Sequence, residues 1–150
     1  MNLSREKVII SACLLGEYCR YDGKTKKVNE VVEAFKDYEI IPFCPEAPLF
    51  GTPRERINVV EINSEYRIMT EVSSVDVTTL LEDEIQSFFQ ANQNVDRIVL
   101  KSGSPSCGFK TTPILNEKKE VIKIGSGVAA TMFQKYYQNI LEDETSFLIG

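Results

Sequence analysis

Histidine is absent from all 150 residues, and that gap alone removes whole classes of chemistry. Without it the chain cannot assemble a Ser-His-Asp triad, a Cys-His dyad, a Cys2His2 finger or an HExxH zinc site. Any proton transfer falls to Asp, Glu, Ser, Tyr, Lys or bound water. No CxxC occurs among the four cysteines at 13, 19, 44 and 107, so a zinc ribbon and a thioredoxin-like redox pair both lack their local spacing. No window approaches the ~18 apolar residues of a membrane span. The 17 Lys plus Arg lie scattered among 22 Asp plus Glu, for a net charge of -5, and form no stripe that would track the phosphates of a large nucleic acid. A small, planar or weakly charged ligand suits this balance better.

The start of the chain imitates a lipoprotein leader, with Ile10-Ser11-Ala12-Cys13 as its cleavage box. The apolar run Val8–Ala12 is shorter than the ~7 residues of a signal h-region, and Glu6 interrupts its flank. The expectation is a cytoplasmic protein with no membrane association. Hydrophobic residues make up 43% of the chain, and at this length roughly two-thirds of the unfolded surface can be buried. One domain over 1–150 is therefore expected, with no need of disulfide staples.

Val8–Ala12, Tyr38–Phe43 (stopped by Pro42 and Pro45) and Val95–Lys101 read as buried strands from their short apolar, partly β-branched runs. Helices are expected over Val28–Lys36, where Val28, Val31, Val32 and Phe35 share a face, and over Thr78–Gln93, with Leu81, Ile85, Phe88 and Phe89 inward. Asp76 or Thr78 is placed to cap the second. A third helix is expected over Gly127–Asn139, with Val128, Thr131 and Met132 inward and Gly125-Ser126-Gly127 at its start. Two hairpins interrupt this pattern, Ile57–Ile62 with Tyr66–Thr70, and Ile114–Ile124 around Asn116-Glu117-Lys118-Lys119. Strand and helix in alternation imply an α/β domain with a mainly parallel sheet, right-handed crossovers and hairpin insertions.

Ligands of such sheets bind at the carboxyl ends of the strands, and each core strand delivers a cysteine there: Cys13, Cys44 and Cys107. Free cysteines are most often small buried apolar residues. Cys44, beside Pro45-Glu46, and Cys107, in a Ser/Gly/Pro loop, instead occupy loop sites, where function concentrates. If three thiolates converge they need a cation, either zinc or an iron-sulfur cluster. Three ligands leave a corner open for chemistry, whereas a closed structural site needs four. Three readings stand: a zinc-bearing structural or binding module, a Cys107 nucleophile activated by Lys101 or Lys110, and an open-cornered cluster enzyme.

The blocks Ser11-Ala12-Cys13-Leu14-Leu15-Gly16, Arg20-Tyr21-Asp22-Gly23, Cys44-Pro45-Glu46, Gly51-Thr52-Pro53-Arg54 and Ser104-Pro105-Ser106-Cys107-Gly108, in this order, resemble the bacterial DUF523 family of TudS-type thiouracil desulfidases. The resemblance runs from Val8 to the helix near Phe133. It implies a Rossmann-like three-layer domain with a 4Fe-4S cluster on Cys13, Cys44 and Cys107, and non-redox removal of sulfur from 2-thiouracil or another thiolated nucleobase. Cys19 receives no ligand role, since a fourth cysteine would close the open iron. Ala47-Pro48-Leu49-Phe50 departs from the glycine-rich segment expected of the family. In this reading Glu46 moves a proton to or from the ring nitrogen or the attacking water. Ser104, ahead of Ser102 and Ser106, hydrogen-bonds substrate or cluster sulfide, or else shapes its turn. Asp22 is a second proton-transfer group or a turn residue before glycine.

Overall fold

The computed structural model describes residues 6–137 and 141–148. Among the described residues eight strands and four α-helices follow one another: β1 Lys7–Ser11, α1 Asn29–Ala34, β2 Glu39–Phe43, α2 Ala47–Phe50, β3 Ile57–Ile62, β4 Glu65–Thr70, α3 Thr78–Ala91, β5 Arg97–Leu100, β6 Thr112–Leu115, β7 Val121–Gly125, α4 Val128–Tyr137 and β8 Leu141–Asp143. Two 3-10 turns, Ala12–Leu15 and Glu144–Phe147, leave the ends of β1 and β8.

The first sheet has the order β2-β1-β5-β8 and is parallel at every pairing. Its two faces explain the unbroken apolar run of β1. Val8 and Ile10 pack against Val31 of α1 and Phe35 just after it, while Ile9 packs against Ile85 and Phe89 of α3 and Phe133 of α4. A strand covered on both faces has no solvent side on which to alternate. The result is the expected α/β/α layering.

Pro42 does not end β2, which runs through it to Phe43. Because β2 is an edge strand, the missing N–H of Pro42 breaks no ladder bond on its outer side.

The two hairpins join each other. β3 pairs antiparallel with β4 and parallel with β6, and β6 pairs antiparallel with β7. This makes a second sheet of order β4-β3-β6-β7. Its inner face buries Ile57, Val59, Ile68 and Ile114 against Val77 and Leu81. Leu81 therefore carries α3 from one sheet to the other.

The stripe of α4 differs from the one expected. Ala129, Ala130 and Phe133 are buried, Val128 and Met132 are half-buried, and Thr131 is exposed. Two small residues let the helix approach the sheet closely, and Phe133 fills the space among Phe43, Phe88 and Phe89. Asn139 lies outside the described residues. Val77 precedes α3 without a side-chain cap; the Asp76 carboxylate instead accepts from the Thr78 amide at 3.0 Å and the Thr78 hydroxyl at 2.6 Å. Among the described residues no helix is long and apolar enough to cross a membrane.

Candidate active site

Parallel strands point their carboxyl ends the same way, and the exits of β1, β2 and β5 form one wall of a cavity of about 370 Å³. Cys13 sits in the 3-10 turn after β1, whose return is made by Gly16 at φ 100°. Cys44 and Pro45 follow β2, and Glu46 precedes α2. Lys101 to Gly108 follows β5. Ile57, Asn58, Thr112 and Pro113 of the second sheet line the same cavity.

The loop carrying Cys107 is fixed from three directions. The Ser104 hydroxyl accepts from the amides of Ser106 (3.2 Å) and Cys107 (3.0 Å). Thr112 donates to the Ser104 carbonyl at 2.7 Å. Beneath it, Gly127 and Ala129 bond the carbonyls of Gly108 and Ser106, each at 2.8 Å. A Cβ on Gly127 would meet the Ser106 carbonyl carbon and oxygen at 2.5 Å. Only glycine admits this approach.

Burial pushes the Cys13 thiol up to about 11, opposed in part by Lys101 and reinforced by the charge of Cys44. Burial likewise pushes Cys107 up to about 12, against hydrogen bonds from Ser11 and Ser106. Cys44 moves the other way, because the Cys19 thiol and the amides of Ala47 and Glu46 hydrogen-bond its thiolate. Cys19 is raised by that same bond and by burial. A half-buried and a buried thiol that resist ionisation, with a third that favours it, form a donor set that binds as thiolates once a cation is present.

Among the described residues, no three Cys, Asp or Glu side chains are gathered closely enough to hold one metal ion. Cys13, Cys44 and Cys107 instead stand around a cavity. A single zinc ion needs its ligands within about 2.3 Å of one point, whereas a cluster of several irons needs them spread around its own width. By type, three cysteine sulfurs around one cavity are the soft donors that such a cluster takes. Cys19 lines the same cavity, with its carbonyl 3.8 Å from the Cys44 sulfur.

Glu46 is buried at 8% exposure and held at both carboxylate oxygens. Ser106 donates to Oε2 at 2.7 Å, and Arg54 reaches Oε1 at 3.5 Å. The Ser104 and Ser106 hydroxyls are 3.3 Å apart. With Ser106 donating to Glu46, they form a chain from the Cys107 loop to the carboxylate.

On the opposite flank, Glu144 accepts from the Ser102 amide and hydroxyl, each at 2.7 Å, and pairs with Lys101 at 3.1 Å. Burial alone would raise its carboxyl, but these bonds bring it below the usual range. The Lys101 amide donates to the Ser11 hydroxyl at 2.8 Å, tying the exits of β5 and β1 together.

Of the residues singled out from the sequence, Cys13, Cys44, Cys107, Glu46 and Ser104 share this cavity; Asp22 does not line it. Asp22 accepts from the Lys24 amide at 3.0 Å and faces Arg20 at 3.7 Å. Lys110 lies over the ring of Phe109 and is exposed, so it is not an activator poised at the buried Cys107. Arg54 and Glu144 emerge from the tertiary structure, and Ser106, placed behind Ser104 on sequence grounds, is the hydroxyl that meets Glu46. Arg54 and Ser106 stood within legible blocks, but nothing in the sequence says that they meet Glu46. Glu144 follows a strand that no strong pattern announces.

The 2-thiouracil desulfurase family pattern matches residues 8–145. The uncharacterised protein YbbK of Bacillus subtilis (strain 168) is 30% identical over 154 residues, covering 95% of this chain and 99% of that protein. The solved structure of a 4Fe-4S-dependent thiouracil desulfidase, TudS, superimposes with a TM-score of 0.70 at 32% identity, covering 95% of this chain and 93% of that one. With its fold matched over nearly its whole length and its cysteines brought to one cavity, the chain belongs to the 2-thiouracil desulfurase family.

Proposed function

We propose that this protein removes sulfur from a thiolated nucleobase such as 2-thiouracil, using a 4Fe-4S cluster held by Cys13, Cys44 and Cys107. The observation that carries this reading is the delivery of three cysteines by three parallel strands to one cavity, beside a buried carboxylate. A cluster bound there by three cysteines supplies an open, soft Lewis acid for the thiocarbonyl sulfur.

The net reaction is C=S plus water giving C=O plus hydrogen sulfide, released as hydrosulfide and a proton. No electrons are gained or lost, so neither nicotinamide nor flavin is needed. Glu46 accepts a proton from the attacking water and passes it to the departing sulfur, the ring N–H groups keeping their own protons, a role typically worth about 10² to 10⁴ in rate. Ser106 holds one carboxylate oxygen, and Arg54 holds the other. Ser104 arranges the Cys107 loop and extends the hydroxyl chain toward Glu46. Asp22 serves the loop carrying Cys19 and Tyr21 and takes no proton from substrate.

Anaerobic reconstitution, followed by absorption, iron and acid-labile sulfide assays, tests the reading. A brown protein that turns over 2-thiouracil is expected. The cofactor should be lost in the serine variants of Cys13, Cys44 and Cys107, and kept in Cys19→Ser. Glu46→Gln should keep it and lose about 10² to 10⁴ in turnover, while Asp22→Asn stays near wild type. A protein that stays colourless, or takes up only zinc, would overturn the desulfidase reading in favour of a structural zinc module.

A further inference from the structure

Arg54 is a buried charge whose hydrogen bonding is incomplete. Its side chain is 6% exposed and it lines the cavity. Nη1 donates to the Gly51 carbonyl at 3.0 Å, and Nη2 reaches Glu46 at 3.5 Å. Among the described residues, Nε is buried with no partner at all. The residue is not loosely held, because its own amide donates to the Tyr21 carbonyl at 2.7 Å. A guanidinium is always charged and carries five N–H donors in a rigid fork. Leaving such a donor unmet inside a protein is unfavourable unless a water or a ligand atom completes it.

Beside this donor stands an acceptor. Glu46 shares the cavity wall, with Oε1 facing Arg54 at 3.5 Å and Oε2 taking the Ser106 hydroxyl next to Cys107 at 2.7 Å. A donor and an acceptor side by side are the complement of a ring edge that carries an N–H next to a carbonyl. We propose that Arg54 is the specificity-determining residue of the site. It donates to a ring carbonyl oxygen while Glu46 accepts from the adjacent ring N–H. Substrates are thereby confined to thiolated rings that keep an –NH–C(=O)– edge. The inference rests on the desulfidase reading above. In 2-thiouracil the edge is N3–H with the carbonyl at C4, which leaves the thiocarbonyl at C2 to the cysteine side of the cavity.

The test compares ligands with and without that oxygen on anaerobically reconstituted protein. Binding of uracil and of 3,4-dihydropyrimidin-2(1H)-one, which keeps N3–H but carries CH2 at C4, is measured by calorimetry, and turnover of 2-thiouracil and of 3,4-dihydropyrimidine-2(1H)-thione is followed alongside. Wild type is expected to prefer the ring with the C4 carbonyl in each pair by about 10- to 100-fold, the range for a hydrogen bond to a charged donor. In Arg54→Met, with iron content and melting temperature checked, the preference should collapse toward one because only the ligand with the C4 carbonyl is weakened. Arg54→Lys keeps a charge opposite Glu46 but not the planar fork, and should fall between.

Wild type inert toward 2-thiouracil would overturn the desulfidase reading and this inference with it. An active wild type that does not distinguish the two rings overturns the inference alone, whether or not Arg54→Met folds. So does a variant that weakens both ligands by the same factor, since Arg54 would then only support the loop.

Discussion

The two sheets of this protein are built on different terms. In the first, β1 and β5 are covered on both faces, and Val8, Ile9, Ile10, Ile98, Val99 and Leu100 are all fully buried. In the second, one face packs on α3, while β7 leaves Val121, Ile122 and Ile124 at 60%, 46% and 59% exposure. The first sheet carries the cysteines and the second closes the cavity wall. Three ligands from separate strands keep their spacing only if the strands themselves cannot shift, and close packing on both faces supplies that rigidity. The wall opposite tolerates a sheet that is half in solvent.

The contrast can be broken by truncating matched side chains. Ile9→Ala, at the centre of the first sheet, should lose about 2–5 kcal/mol of stability. Ile124→Ala, on the exposed edge of the second, should change it by no more than about 0.5 kcal/mol. Denaturant midpoints of the two variants measure the difference, and comparable losses would show that the two sheets are equally dependent on burial.

A smaller effect is expected where the first sheet's cysteine loop rests on α4. In Gly127→Ala the new Cβ would press on the backbone of Ser106 and Pro105, at 2.5 and 2.7 Å. Backbone cannot rotate away as a side chain can. A loss of about 1–3 kcal/mol is expected, with iron bound after reconstitution reduced as Cys107 is displaced. Thermal melts and iron assays on the same samples test both parts.

Acid separates the sheets through their carboxylates. Burial raises Asp76, but the Arg67 guanidinium at 2.8 Å and the Thr78 hydroxyl and amide hold it down, to about 2 from the usual 3.8. A carboxylate held below its unfolded value contributes stability above that value, and the contribution is lost as pH falls through the folded one. Stability due to Asp76 should therefore decline between about pH 3.8 and 2. Asp76→Asn should be less stable than wild type above this window and converge with it below, as read from urea midpoints across the range. Glu144, lowered at the end of the first sheet, contributes in the same direction, so the difference between wild type and variant isolates the second sheet's share.

The smallest effect belongs to Lys123 and Glu61, 3.0 Å apart across the second sheet but 45% and 29% exposed. Lys123→Met should move stability by less than about 0.5 kcal/mol, and less still at high salt. Thermal melts at two ionic strengths measure it.

Much of the first sheet was legible in the chain, because strands buried on both faces and amphipathic helices write strong local patterns. Val8–Ala12 and the α3 stripe of Leu81, Ile85 and Phe89 are of this kind. The three-residue β8 was not legible, since Leu141-Glu142-Asp143 carries no periodicity, and its place beside β5 comes from pairing. On α4 the sequence pattern finds Val128 and Met132, which pack at the core's edge, but not Ala129 and Ala130, which look neutral in sequence yet whose small size lets the helix approach. The union of the two hairpins through β3 and β6 also had no local signal.

By itself the sequence determined the chemistry this protein can do. It has no histidine, four cysteines without CxxC spacing, and a cysteine in the loop after each of three core strands. Those are properties of residue type and order, and no folding can alter them. Only the tertiary structure decided which groups act together. Ser106 and Arg54 meet the two oxygens of Glu46, Glu144 holds Lys101 and Ser102, and Asp22 stands outside the cavity. Hydrogen bonds and ion pairs reach only a few ångströms, so partners separated by tens of residues are chosen by how the sheets bring their loops together.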